Sequence, residues 1–202
     1  MARKMDYGNW AQVIGKYDLQ ARRGSILSML PADVAFASID GGEPRVRLQG
    51  IDARQTVLFD VLVNPMTPSC GPVGPDHLFE EFVPVTPALQ DVKLFIDDAE
   101  VAQYAPGARD PGGQLKLAAP AEGRLHHIPL EGDVPVAANV SYMLQVRPEG
   151  DERWHTMAAG VAQPSTANLD INQFPGAAAL DVRVLRTNGL ETVEILRERK
   201  DF

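Results

Sequence analysis

Short runs of alternating apolar and polar residues, each cut off by Gly or Pro, occupy this sequence from residue 33 onward and constrain it more than any other feature. A period of two places successive side chains on opposite faces of an extended strand. Runs at 34–39, 45–51, 56–63, 78–85, 92–96 and 99–104 are rich in Val, Ile, Phe and Thr and predict strands. Asp40-Gly41-Gly42 and Asp97-Asp98 supply tight turns between neighbouring runs, since hairpin turns need residues that accept positive φ. The stretch 64–75 holds four prolines and two glycines. So many missing N–H donors exclude a ladder and predict a long exposed loop. A second breaker cluster at 105–113, followed by Pro120 and Gly123, predicts a domain boundary. Strand runs resume at 123–130, 139–147, 154–159, 166–171, 180–186 and 191–196, with Leu180, Val182 and Val184 sharing a core-facing side.

The N-terminus reads differently. Trp10, Val13, Ile14 and Tyr17 recur at the i, i+3, i+4, i+7 spacing of one helical face, with Asn9 as N-cap and Gly24 as stop. Residues 1–24 are therefore expected to form a short helical segment whose aromatic face packs on the neighbouring domain. The 202 residues amount to about one and a third usual domain lengths, enough for two small sandwiches. The expected fold is all-β apart from that helix, with a first sandwich over 25–112 and a second over 113–202.

Composition narrows the function classes. Hydrophobic residues make up 45% and charged residues 23%, ordinary globular values. The formal charge of −8 is unevenly spread: residues 1–24 carry +3, 25–118 carry −7 and 119–202 carry −4. An acidic body without an aromatic-rich basic stripe disfavours nucleic acid. No apolar run reaches the roughly 18 residues of a membrane span, and the first residues lack the apolar stretch of a signal peptide. Localisation is left open by these features: extracytoplasmic if the chain is part of a longer exported protein, otherwise cytoplasmic. The single cysteine, Cys70, excludes an intramolecular disulfide.

A search for chemistry assigns no catalytic, cofactor-binding or metal-binding residue. A zincin requires two histidines four apart on a helix beside a glutamate. The histidines here are His77, His126, His127 and His155, and strand neighbours such as His126 and His127 point to opposite faces. A cross-strand meeting of either with His155 is the one metal arrangement the spacing leaves open. Cys70 lies in the proline-rich loop without an adjacent base, leaving only spatial contact with His77 to activate it. Ser25, Ser28, Ser38, Ser69, Ser141 and Ser165 sit in no nucleophile elbow, and Gly112-Gly113 precedes Gln114 rather than a phosphate-binding lysine. Glu80-Glu81, Asp97-Asp98 and Glu131 with Asp133 offer oxygens to calcium, the last pair together with Asp151 or Glu152, but none has a calcium-loop spacing. Asn139-Val-Ser141 matches a glycosylation triplet within a predicted strand.

The C-terminal half carries a family resemblance. Tyr142-Met-Leu-Gln-Val-Arg-Pro-Glu-Gly-Asp-Glu-Arg-Trp154, Met157-Ala-Ala-Gly160, Leu169-Asp-Ile-Asn-Gln-Phe-Pro-Gly176 and Val182-Arg-Val-Leu-Arg-Thr-Asn-Gly189 resemble the immunoglobulin-like, fibronectin type III-like modules at the C-termini of bacterial secreted or surface proteins. Upstream, Asp6-Tyr-Gly-Asn-Trp10, Arg47-Leu-Gln-Gly50 and the run to Tyr104 are similar to the first sandwich behind the catalytic domain of metallopeptidase-like members, whose zinc-binding segment is absent here. The resemblance implies two immunoglobulin-like/fibronectin type III-like β-sandwiches in tandem, serving as a non-catalytic accessory or interaction module. Implied partners are a protein or glycan surface, or a catalytic domain of the same parent protein, with no nucleic acid, membrane span or cofactor. Two other readings stand beside it: a hydrolase whose site is scattered in sequence, and a structural subunit of a phage or secretion assembly. Trp154, Tyr142 and Leu169 are expected to anchor the second core.

Overall fold

The structure is a computed structural model that describes residues 3–4, 10–32, 43–66, 75–108, 112–118, 127–166 and 168–201. The predicted strand at 34–39, its Asp40-Gly41-Gly42 turn, Cys70 and His126 lie outside those residues. The described chain is built of antiparallel strands with two short 3-10 turns, Pro164–Thr166 and Ile171–Gln173. It divides into two compact units: Asp6–Pro106, and Gly107–Phe202 together with Met1–Met5.

The first unit contains β2 (Trp10–Asp18), β3 (Arg23–Ala32), β4 (Glu43–Ile51), β5 (Val57–Val63), β6 (His77–Pro84), β7 (Asp91–Ile96) and β8 (Ala99–Tyr104), following β1 (Arg3–Lys4) of the other unit. They form two sheets, ordered β3-β2-β6 and β5-β4-β7-β8. Inward positions alternate along each strand: Val46 and Leu48 on β4, Phe79 and Val83 on β6, and Val92, Leu94 and Ile96 on β7 are all fully buried. That period-two burial makes the unit a β-sandwich.

The expected N-terminal helix is a strand. β2 pairs with β3 from Trp10↔Ala32 to Asp18↔Arg23 and with β6 from Trp10↔Pro84 to Tyr17↔His77. Ala11, Val13 and Tyr17 point into the core, whereas Trp10 is 36% exposed. Val13 and Tyr17 are four residues apart, a spacing that both a helix and a strand place on one side. The period of two wins because β2 is central, with both edges paired, and carries β-branched Val13 and Ile14 beside Gly15.

The second unit contains β9 (Leu115–Leu117), β10 (His127–Gly132), β11 (Ser141–Pro148), β12 (His155–Val161), β13 (Asn168–Asp170), β14 (Ala179–Thr187) and β15 (Thr192–Asp201). Its sheets run β1-β15-β14-β11-β12 and β13-β10-β9. The core joins Leu130, Tyr142, Leu144, Val146, Leu169, Leu180, Val182, Val184 and Leu196. Tyr142 and Leu169 are thus core residues, as the sequence predicts. Trp154 is absent from this cluster and lies on the outer face of the five-stranded sheet, against arginines.

Candidate functional site

The features that single out a surface are concentrated where β5 leads into β6. β5 ends its sheet, so one of its edges has no ladder partner among the described residues. Among the described residues, five of the eight exposed large hydrophobic side chains belong to β5, to the start of β6 or to the residues between them: Val57, Leu58, Leu62, Met66 and Leu78, each between 38% and 50% exposed. Apolar groups scattered singly over a surface need no explanation, whereas a concentration on two consecutive strands does.

The 64–76 connection is held in shape from both ends. At its start, the Met66 N–H donates to the Leu78 carbonyl at 2.7 Å, and Pro65 bridges Phe79. The Glu81 carboxylate, buried within β6, accepts from the Asn64 backbone N–H at 2.7 Å and from its side-chain amide at 2.9 Å. At its end, Lys16 Nζ donates to Asp76 at 2.7 Å, with Arg23 3.6 Å away. The Lys16 bond holds the Asp76 carboxyl below its usual range. His77 stacks on Tyr17 with ring centroids 5.3 Å apart. Exposed Leu and Met side chains are thereby carried on anchored backbone.

Among the described residues, most of the histidines and carboxylates singled out from the sequence are held by other partners; Cys70, His126, Ser38 and Ser69 lie outside the described residues. His155 Nε2 lies 2.7 Å from Asp151 Oδ2 at an exposed position. Asp151 also accepts the Arg153 backbone N–H, which is the first cause of its lowered pKa. Glu131 faces Lys116 at 3.4 Å, and Glu80 accepts from the Gln12 amide at 2.6 Å. Asp97 and Asp98 form the β7–β8 turn with φ of 49° and 65°. Asp97 is gripped by Arg45 at 2.6 Å and Arg22 at 2.9 Å, and Asp98 by Arg47. Among the described residues no three His, Cys, Asp or Glu side chains meet as a metal-ion group. No helix among them is long and apolar enough to cross a membrane.

Sequence reasoning missed these exposed apolar residues because they lie on two strands of different sheets. The signal was present in Leu58 and Leu62, which occupy the outward phase of an otherwise alternating strand. Sequence reasoning also placed Trp154 in the second core, whereas the ring has the guanidinium carbons of Arg183, Arg147 and Arg197 at 4.1, 5.1 and 5.5 Å.

No protein-family model matches the chain, and no curated protein matches it. Among solved structures it aligns with one described as "Cytokine receptor complex - Crystal form 1A", over 79% of this chain and 87% of that one, at 14% identity and a TM-score of 0.31.

Proposed function

We propose that this chain is a non-catalytic interaction module that uses β5 and the start of β6 in its first sandwich to hold an apolar-faced, basic segment of another protein. The observation that carries this reading is the set of exposed Leu62, Met66 and Leu78 flanking the connection from β5 to β6, with Leu58 on the same face of β5 as Leu62 and the Met66 backbone bonded to Leu78. Charge supports the choice of partner: residues 6–106 hold seven basic against fourteen acidic side chains, a field that draws cationic segments. The set is aliphatic rather than aromatic, which favours a protein surface over the ring faces of a glycan. In keeping with the sequence resemblance, the module belongs to a larger bacterial secreted or surface protein and positions a neighbour, such as a metallopeptidase-like domain.

Selection from a random peptide library on the full chain tests the reading. Recovered peptides should combine apolar and basic residues and should lose about tenfold or more in affinity when Leu62→Glu and Leu78→Glu are combined, a loss typical of a disrupted interface centre. Both positions are exposed, so amide spectra of the variant should retain the wild-type dispersion. Peptides without that composition, or binding indifferent to the double substitution, would overturn the proposal.

A further inference from the structure

We infer that the chain holds its partner by strand addition: an extended segment, with a basic residue flanked by apolar ones, pairs with the outer edge of β5. This rests on the reading of β5 and β6 as the binding surface and adds the form in which the partner is held. β5 ends the sheet β5-β4-β7-β8 and pairs only with β4 among the described residues, from Val63 to Val57. In a strand paired on one side, alternate residues turn their N–H and C=O groups outward, where another chain can pair with them.

Sheet edges are usually blunted by Pro, by charge or by a covering element, and β5 is the least protected edge of the first unit. β8, at the far side of the same sheet, exposes Glu100 and Gln103, and its Val101 lies 3.3 Å from where a Cβ on Gly24 of β3 would stand. β3 carries Pro31, and β6 carries Pro84 and is bonded by Met66 at Leu78. Val57–Val63 holds neither Pro nor Lys, and its exposed Leu58 and Leu62 flank a single charge, Asp60, on one face. Asp60 specifies what sits opposite. Its Oδ2 accepts from Gln49 Nε2 at 2.9 Å and from Arg47 Nη1 at 3.3 Å, while Oδ1 takes no hydrogen bond among the described residues and the side chain is 37% exposed. Opposite charges facing each other across strands stabilise a ladder, and like charges weaken it. A Lys or Arg facing Asp60, with apolar residues two positions to either side facing Leu58 and Leu62, therefore matches this edge. A second copy does not: β5 centred antiparallel on itself sets Asp60 against Asp60 and brings together two units that each hold fourteen acidic against seven basic residues over 6–106. In strand addition the main chain supplies affinity and alternate side chains supply selectivity.

Titration of the ¹⁵N-labelled full chain with the end-capped peptide Ser-Leu-Thr-Lys-Val-Leu-Ser tests the mode. Saturable shifts are expected at the amides of residues 57–62. Two N-methylated forms, one blocked at the Leu and Lys amides and the other at the Thr and Val amides, keep every side chain but remove opposite edges of the peptide; one should bind and the other should not. Asp60→Lys should weaken the Lys peptide about fivefold, the scale of one cross-strand charge pair, and should bind the Glu counterpart, Ser-Leu-Thr-Glu-Val-Leu-Ser, better than the wild-type chain does. The methylated forms are compared on the wild-type chain, so that arm holds even where the substitution disturbs the sheet. Absence of saturable shifts over 57–62, equal binding of both methylated forms, or the same ranking of the Lys and Glu peptides on both chains would overturn strand addition. The reading of the surface survives that result if library-selected peptides still lose affinity to Leu62→Glu with Leu78→Glu, and falls with it if they do not. Concentration-dependent broadening at 57–62 in the peptide-free chain would replace the partner with a second copy and so overturn the proposal.

Discussion

The indole of Trp154 covers a buried polar row of the five-stranded sheet. Arg183 Nε donates to the Gln145 carbonyl at 2.9 Å, and the Gln145 amide donates to Thr156 at 2.9 Å. Gln145 and Arg183 are 1% and 6% exposed although they face outward, with Trp154 stacked 4.1 Å from the Arg183 guanidinium. Removing the indole therefore wets a hydrogen-bonded row rather than opening a core cavity. Trp154→Ala should cost about 1–2 kcal/mol, the range of a partly desolvated cation–π contact. Leu144→Ala, in the core itself, should cost about 2–5 kcal/mol. Urea unfolding followed at β11 and β14 amides distinguishes the two, and equal costs would return Trp154 to a core role. Its misassignment from sequence has a physical origin: aromatic residues carry no mark of which side of a sheet they cover, and the deciding arginines come from three separate strands.

At the scale of elements, two glycines of the first unit make room for an aromatic ring on the neighbouring strand of the same sheet. Gly15 pairs in register with Phe79, and Gly50 with Phe59. A Cβ on Gly15 would lie 2.3 Å from the Phe79 ring and 2.6 Å from the Ser25 carbonyl; on Gly50 it would lie 2.1 Å from the Phe59 ring. The phenyl rings fill the space over the bare backbone, as aromatic residues do across from strand glycines. Gly15→Ala meets both a ring and fixed backbone, and thermal unfolding should report a loss of about 1–3 kcal/mol, the usual cost of overpacking. An unchanged midpoint would show that Phe79 moves aside freely. The β7–β8 hairpin adds a pH-dependent element, because the bonds from Arg45, then Arg22, hold the Asp97 carboxyl well below its usual range. A depressed folded-state pKa stabilises the fold above the unfolded value of about 3.9, and the contribution fades as pH falls toward the folded value. Asp97→Asn keeps a residue that tolerates positive φ but should lower stability at pH 7 and flatten its decline between about pH 4 and pH 2. Superimposable acid profiles would deny the ion pairs that role. Hairpins of this kind were legible in the sequence, since Ile96-Asp97-Asp98-Ala99 states its turn locally. β2 was not, because its helical i, i+4 spacing also fits a strand and the second of its two pairings comes from β6, some 68 residues away at Gln12 and Glu80. The exposed apolar residues of β5 and β6 were equally out of reach, because they lie on strands of different sheets.

At the scale of the whole molecule, the N-terminal residues join the C-terminal unit. β1 pairs antiparallel with β15 through Arg3↔Glu194 and Lys4↔Val193, placing Met1–Met5 with the second unit although the first unit follows immediately in sequence. Chain order therefore does not match unit membership, and periodicity along the chain carries no sign of such a return. The consequence is a separation of effects that contiguous domains would not give. β15 is an ordered, ten-residue strand whose other edge is taken by β14, so deleting residues 1–5 removes its outer ladder partner and bares that edge to water. Two ladder pairs are a small part of that sheet, and the net worth of a typical hydrogen bond is about 0.5–1.5 kcal/mol. Removal of residues 1–5 should accordingly speed amide exchange at Val193 or Glu194 and slightly lower the stability of the C-terminal unit. Exchange at Leu48, Leu94 and Phe79, in the N-terminal unit nearest the deletion in sequence, should stay at its wild-type rate. Faster exchange in those strands, with β15 unaffected, would mean that the N-terminal residues serve the first sandwich instead.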